Sequence, residues 1–178
     1  MRTTSAVLLA GCLFAFAAVA APASPPTEPP LPGPGDIDVR ARALFAAIVS
    51  GDPAGTADLF LPREAFVRIK AASDPNAIYD RLLRAYHADI RALHTATPDL
   101  RRAEYVRVEF SRRRGFVVAG QEANKIAYWA QRHNALVYRV GSEERRIELR
   151  VLIAWEGRWY LTHLSEFKHP TPALAPAP

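Results

Sequence analysis

The second half of the chain constrains the fold most. From Ala103 onward it reads AEYVRVEF, NKIAYWA, ALVYRV, RRIELRVLIAW and RWYLTHLSEF, each stretch set off from the next by a turn signal. Strand side chains point alternately to opposite faces, so apolar–polar alternation of this kind marks strands with one face buried. Short turns between consecutive strands make antiparallel neighbours. SRRRG at Ser111 to Gly115 reads as a basic loop or bulge between two of them.

The first half carries the helical period. In DIDVRARALFAAIVSGD, Val39, Leu44, Phe45, Ile48 and Val49 fall on one stripe, and Ser50-Gly51 ends it. Asp52-Pro53 supplies a cap and a first-turn proline for a short helix through Leu59. Asp74-Pro75 opens a longer helix. Ile78, Leu82, Tyr86, Ile90 and Leu93 line one side of it, and Asp80, Arg84, His87, Arg91 and His94 the other. Thr97-Pro98 closes it. Helices followed by an antiparallel meander define an α+β fold.

The ends are of different composition. MRTTSAVLLAGCLFAFAAVA has one early arginine, an apolar run from Ala6 to Ala20 and an Ala18-Val19-Ala20 site, the layout of a secretory signal peptide over residues 1–20. Leu9-Ala10-Gly11-Cys12 also resembles a lipobox, and an uncleaved leader is a third option; only these two would put the protein on a membrane. Cys12 is the single cysteine, so a chain cleaved after Ala20 has no disulfide framework. Residues 21–35 form a proline-rich spacer with nothing to bury, expected to be extended and disordered. Residues 169–178 are a similar tail, which leaves a single domain over 36–168. The net charge of +5 is interspersed with acids, and an exported chain seldom meets nucleic acid, so none is expected as a partner.

LFAAIVSGDPAGTADLF and LIAWEGRWYLTHLSEF, a helix broken at Gly-Asp and a closing Trp-Glu-Gly-Arg-Trp hairpin, resemble the nuclear transport factor 2-like superfamily. The resemblance implies a cone in which a curved antiparallel sheet wraps around N-terminal helices. That superfamily usually places a strand pair before the third helix, and here only EAFVRI, Glu64 to Ile69, is available for it. It mixes isomerases and dehydratases with non-catalytic binding modules, and no acid–base set of its enzymes maps onto numbered positions here.

Glu156-Gly157 is a two-residue hairpin turn, which sets Trp155 opposite Arg158. A four-residue loop over Gly141 to Glu144 then pairs Val140 with Arg145. One face gathers Leu136, Tyr138, Ile147, Leu149, Val151, Ile153, Trp155, Tyr160, Thr162 and Leu164, the expected core. The other carries an apolar block of Leu152, Ala154, Trp159 and Leu161, expected to be exposed and to make a homodimer through the outer sheet face. Beyond that block lie Arg139, Arg146, Glu148, Arg150 and His163, with His163 opposite Arg150. His87 and His94, seven residues apart, lack the spacing and the third ligand of a helical zinc pair, so no metal and no cofactor are expected. Two functions remain. One is a non-enzymatic exported binding or assembly module of the cell envelope. The other is a small-molecule enzyme of isomerase, dehydratase or hydrolase type, with Tyr138, Tyr160, Thr162 or Glu122 reaching a ligand inside the cone.

Overall fold

Helix α1, Ile37–Ser50, stops where the helical stripe stops: Gly51 takes a left-handed conformation (φ 75°) and its N–H returns to the Ala47 carbonyl. A computed structural model describes residues 28–97 and 99–164 of the chain. The leader with Cys12, the first part of the spacer, Pro98 and the C-terminal tail lie outside the described residues.

After α1 the expected helix through Leu59 is absent. Asp52 does cap, accepting the Ala54 N–H at 3.0 Å, but the segment makes only turns. Residues Leu59 to Leu61 instead leave the turn extended and pair with the free edge of the last strand. Leu161 N–H donates to the Leu59 carbonyl at 2.8 Å, and Leu61 N–H to the Leu161 carbonyl at 2.9 Å. The EAFVRI stretch is likewise helix rather than strand: α2 spans Arg63–Ile69 and buries Ala65, Phe66 and Ile69, which recur at helical spacing. Helix α3, Pro75–Ala96, opens as its sequence indicates, with Pro75 in the first turn and the Asp74 side chain accepting the Ala77 N–H at 3.0 Å.

The strands are β1 (Ala103–Glu109), β2 (Arg114–Val117), β3 (Tyr128–Val140), β4 (Glu143–Trp155) and β5 (Arg158–Leu164). They form one antiparallel sheet in the order β1-β3-β4-β5, with β2 also pairing β3. The fold is α+β with the helices preceding the sheet. NKIAYWA and ALVYRV are not two strands: Tyr128-Trp129-Ala130 and ALVYRV are parts of the long β3, and Asn124 to Ala127 precede it. The β3–β4 loop is two residues, Gly141-Ser142, so Val140 pairs with Glu143 rather than Arg145. A slip of two residues preserves the faces: Leu136, which the longer loop would set opposite Leu149, pairs with Ile147 on the same face. The β4–β5 hairpin forms as read, Trp155 opposite Arg158, with positive φ at both Glu156 (47°) and Gly157 (76°). One residue too many then enters β5 at Thr162, so His163 pairs with Val151 and not with Arg150.

β1 and β5 are opposite edges of the sheet, yet α1 touches both. Asp38 accepts the Val108 N–H of β1 at 2.8 Å and the Tyr105 hydroxyl at 2.5 Å. Arg40, two residues on, donates to the Trp159 carbonyl of β5 at 2.8 Å. The rings of Phe110 and Trp159 lie 6.3 Å apart across the same gap. The sheet is therefore strongly curled, with its edges drawn together around α1 but not closed into a barrel. Leu44, Ile48, Tyr86, Ile90, Leu136, Leu149, Leu152 and Leu161 form the fully buried centre of the core.

This curl overturns the expected outer face. Leu152, Trp159 and Leu161 are 0%, 2% and 0% exposed and belong to the core, while Ala154 is half-buried. The block is covered within the chain, so it does not form the exposed patch expected to make the homodimer. Part of the cover comes from the spacer: among its described residues, Pro29 and Pro32 offer their carbonyls to the indole N–H groups of Trp129 and Trp159, at 2.9 and 3.2 Å.

Candidate functional site

An open cleft of about 430 Å3 lies at the C-terminal end of α3. Leu93 borders it on the helix and Thr97 at the helix C-cap. β3 contributes His133, Asn134, Ala135 and Tyr138, and β4 contributes Arg146, Ile147 and Glu148. Its size is near the lower end for small-molecule sites.

The strand geometry is distorted here. His133 adopts a left-handed conformation (φ 58°), unusual for a non-glycine residue inside a strand. The neighbouring Asn134 stitches the distortion in place. It is 1% exposed, its Nδ2 donates to the Gln131 carbonyl at 3.0 Å, and its Oδ1 accepts the Ser111 N–H at 3.2 Å. His133 Nδ1 lies 2.8 Å from Glu148 Oε1, with both side chains about half exposed. Arg146 is paired with Glu109 at 2.5 Å. Arg107 bridges Glu109 and Glu144, and Arg139 reaches Glu144 at 3.1 Å. These arginines hold the Glu144 carboxyl below the usual carboxylate range, the Arg107 hydrogen bond having the largest effect. The cleft thus combines an apolar wall with a polar rim in which His133 meets Glu148 and Arg146 is held by Glu109.

The interior candidates divide. Tyr138 lines the cleft but is 4% exposed, its ring 5.5 Å from that of Phe45. Tyr160 is buried under two guanidinium groups, Arg40 at 5.1 Å and Arg158 at 5.7 Å from its ring centre. The Thr162 hydroxyl reaches the Val151 carbonyl at 3.4 Å, and His163 Nδ1 lies 3.0 Å from that hydroxyl. Glu122 is not interior at all. It sits exposed on a short turn with φ 49°, paired with Arg132. That turn closes a second polar group: Lys70 Nζ donates to Asn124 Oδ1 at 2.7 Å, and Asn124 Nδ2 donates to the Tyr128 hydroxyl at 3.0 Å. Burial pushes the Tyr128 hydroxyl up to about 12 and the Lys70 ammonium down. Tyr138, Tyr160, Thr162 and Glu122 therefore do not converge on one pocket.

Two residues stand where their sequence positions did not place them. His94, read as part of a solvated stripe, lies against α1, its Nδ1 3.1 Å from the Ile48 carbonyl. Asp89 is 3% exposed and its Oδ1 has no hydrogen-bond partner among the described residues. Burial raises its carboxyl to about 7. It precedes Leu93 by one helical turn on α3, and Thr97 follows at the C-cap of that helix. A charged residue spaced four and seven from Leu93 and Leu82 was the available signal.

Among the described residues no group of three or more histidine, cysteine or carboxylate side chains is placed to hold a metal ion. No family model, curated protein or solved structure matches the chain.

Proposed function

We propose that this is an exported, non-enzymatic binding or assembly module of the cell envelope that takes its ligand in the cleft at the end of α3. The observation that carries the reading is the cleft of about 430 Å3, with an apolar wall at Leu93 and Ile147 and a polar rim of His133, Glu148 and Arg146, each held by a partner. Polar rim groups fixed by their partners orient a ligand and exclude wrong ones. Export rests on the leader sequence and its Ala18-Val19-Ala20 site. The cone of the nuclear transport factor 2-like resemblance is in keeping with the curl of the sheet around α1.

The test is to titrate the 15N-labelled mature chain with fractionated small molecules from cell envelope. Binding that shifts the amides of Leu93, Thr97, Asn134 and Ile147, and that is lost in Leu93→Glu, supports the reading. Ligands that shift only other surfaces refute it.

One observation favours the second reading, a small-molecule enzyme of isomerase, dehydratase or hydrolase type. A carboxyl held near neutrality by burial is suited to proton transfer, and Asp89 is such a group. Turnover of a cleft ligand by the wild type and its loss in Asp89→Asn, with binding retained, would establish that reading instead.

A further inference from the structure

Residues 28–35, EPPLPGPG, run without helix or strand from the first described residue to the start of α1. They are held to the sheet by two hydrogen bonds of the same kind. Trp129 Nε1 donates to the Pro29 carbonyl at 2.9 Å and Trp159 Nε1 to the Pro32 carbonyl at 3.2 Å. The two acceptors are three residues apart, and three residues are one turn of a polyproline II helix, an advance of about 9.3 Å.

The donors have the matching spacing. Ala154 pairs with Trp159 across β4–β5, and the β3–β4 register runs to Ala130↔Ile153, so Trp129 lies one step further, level with Ala154. Trp129, Ala154 and Trp159 thus form a row across three strands. Two inter-strand steps separate the tryptophan backbones by about 9.6 Å. The small residue between two indoles leaves a shallow floor. Phe116, whose ring is 5.2 Å from that of Trp129, extends the aromatic wall at one end. Indole N–H donors at this spacing are what a proline-rich strand requires. Its carbonyls accept, and its own backbone lacks donors at proline.

We propose that the Trp129–Ala154–Trp159 row is a polyproline II-reading surface, occupied in cis by Pro29-Pro30-Leu31-Pro32, and that it takes a proline-rich segment of a partner polypeptide when its own segment is displaced. This surface is separate from the cleft at α3. The cis segment is lightly seated: Pro29, Pro30 and Leu31 are exposed and only Pro32 is half-buried. A tethered segment competes at an effective concentration in the millimolar range, so it lowers the affinity for a partner without preventing access.

The experiment uses the mature chain, as wild type and with Pro29, Pro30 and Pro32 replaced by glycine. Each is 15N-labelled and titrated with the peptide EPPLPGPG or with EAALAGAG. The proline peptide is expected to bind the substituted chain about tenfold more tightly than the wild type. It is expected to move the Trp129 and Trp159 indole N–H resonances toward their wild-type positions, and Trp129→Phe removes one of these contacts and weakens binding. The proline peptide, at millimolar concentration, is also expected to perturb both indoles of the unsubstituted chain, a readout that does not depend on how the glycine variant folds. Equal binding of the alanine peptide, or no change at either indole in the wild type at several millimolar, overturns the proposal.

Discussion

Arg40 on α1 donates from Nη2 to the backbone carbonyl of Trp159 on β5, 119 positions along the chain, at 2.8 Å. The same guanidinium reaches the Asp58 carbonyl at 3.1 Å and Asp36 Oδ1 at 2.8 Å, while its Nε has no partner among the described residues. Arg40 is 6% exposed, so a charge that helix α1 alone would leave in water is used to tie the first helix to the last strand. Removing it orphans two backbone carbonyls at that seam. Arg40→Ala is expected to cost about 2–4 kcal/mol in urea unfolding, with Arg40→Lys recovering only part, because a single ammonium nitrogen cannot stand where both Nη1 and Nη2 of the planar guanidinium donate.

Asp89 gives the domain a pH-dependent stability. Its carboxyl titrates at about 7 when folded, against 3.8 unperturbed, so the folded state binds the proton more tightly than the unfolded state does. This group imposes no penalty below about pH 4, a growing one between pH 4 and 7, and its full penalty above 7. Asp89→Asn is expected to leave the melting temperature near pH 4 almost unchanged and to raise it at pH 8, flattening the profile. A wild-type melting curve with no greater loss than the variant's between pH 5 and 8 would refute the assignment.

Gly51 terminates α1 at φ 75°, and a Cβ there would stand 2.9 Å from Cδ2 of His94. Gly51→Ala therefore combines backbone strain with a clash and is expected to cost about 2 kcal/mol or more. Combining it with His94→Ala relieves the clash and leaves the strain. The double variant should lose less stability than the two single variants together, measured as a coupling in a double-mutant cycle.

Glu156 occupies the first position of the β4–β5 turn at φ 47°, where asparagine is favoured. Glu156→Asn is expected to stabilise the domain by about 0.5–1 kcal/mol, read as an increase in the urea midpoint at unchanged slope.

Local chemistry alone determined much of this protein. Gly51 ends a helix because it accepts a left-handed conformation without a Cβ. Asp74-Pro75 starts one because its cap and fixed φ are built in, and Glu156-Gly157 reverses the chain within two residues. Period-two alternation established which residues of β3 and β4 share a face, and a two-residue slip in their register left that assignment intact, whereas the irregularity at Thr162 in β5 was not legible. Alternation cannot determine which face is covered, because the cover comes from chain far away in sequence. Leu59 to Leu61 pair with β5, the Pro29 and Pro32 carbonyls meet Trp129 and Trp159, and the curl around α1 brings Phe110 to Trp159. These tertiary contacts moved Trp159 from an expected outer patch into the core. Each depends on long-range closure, in which distant segments lose their entropy together and bury a common surface, and no local period of the sequence encodes that.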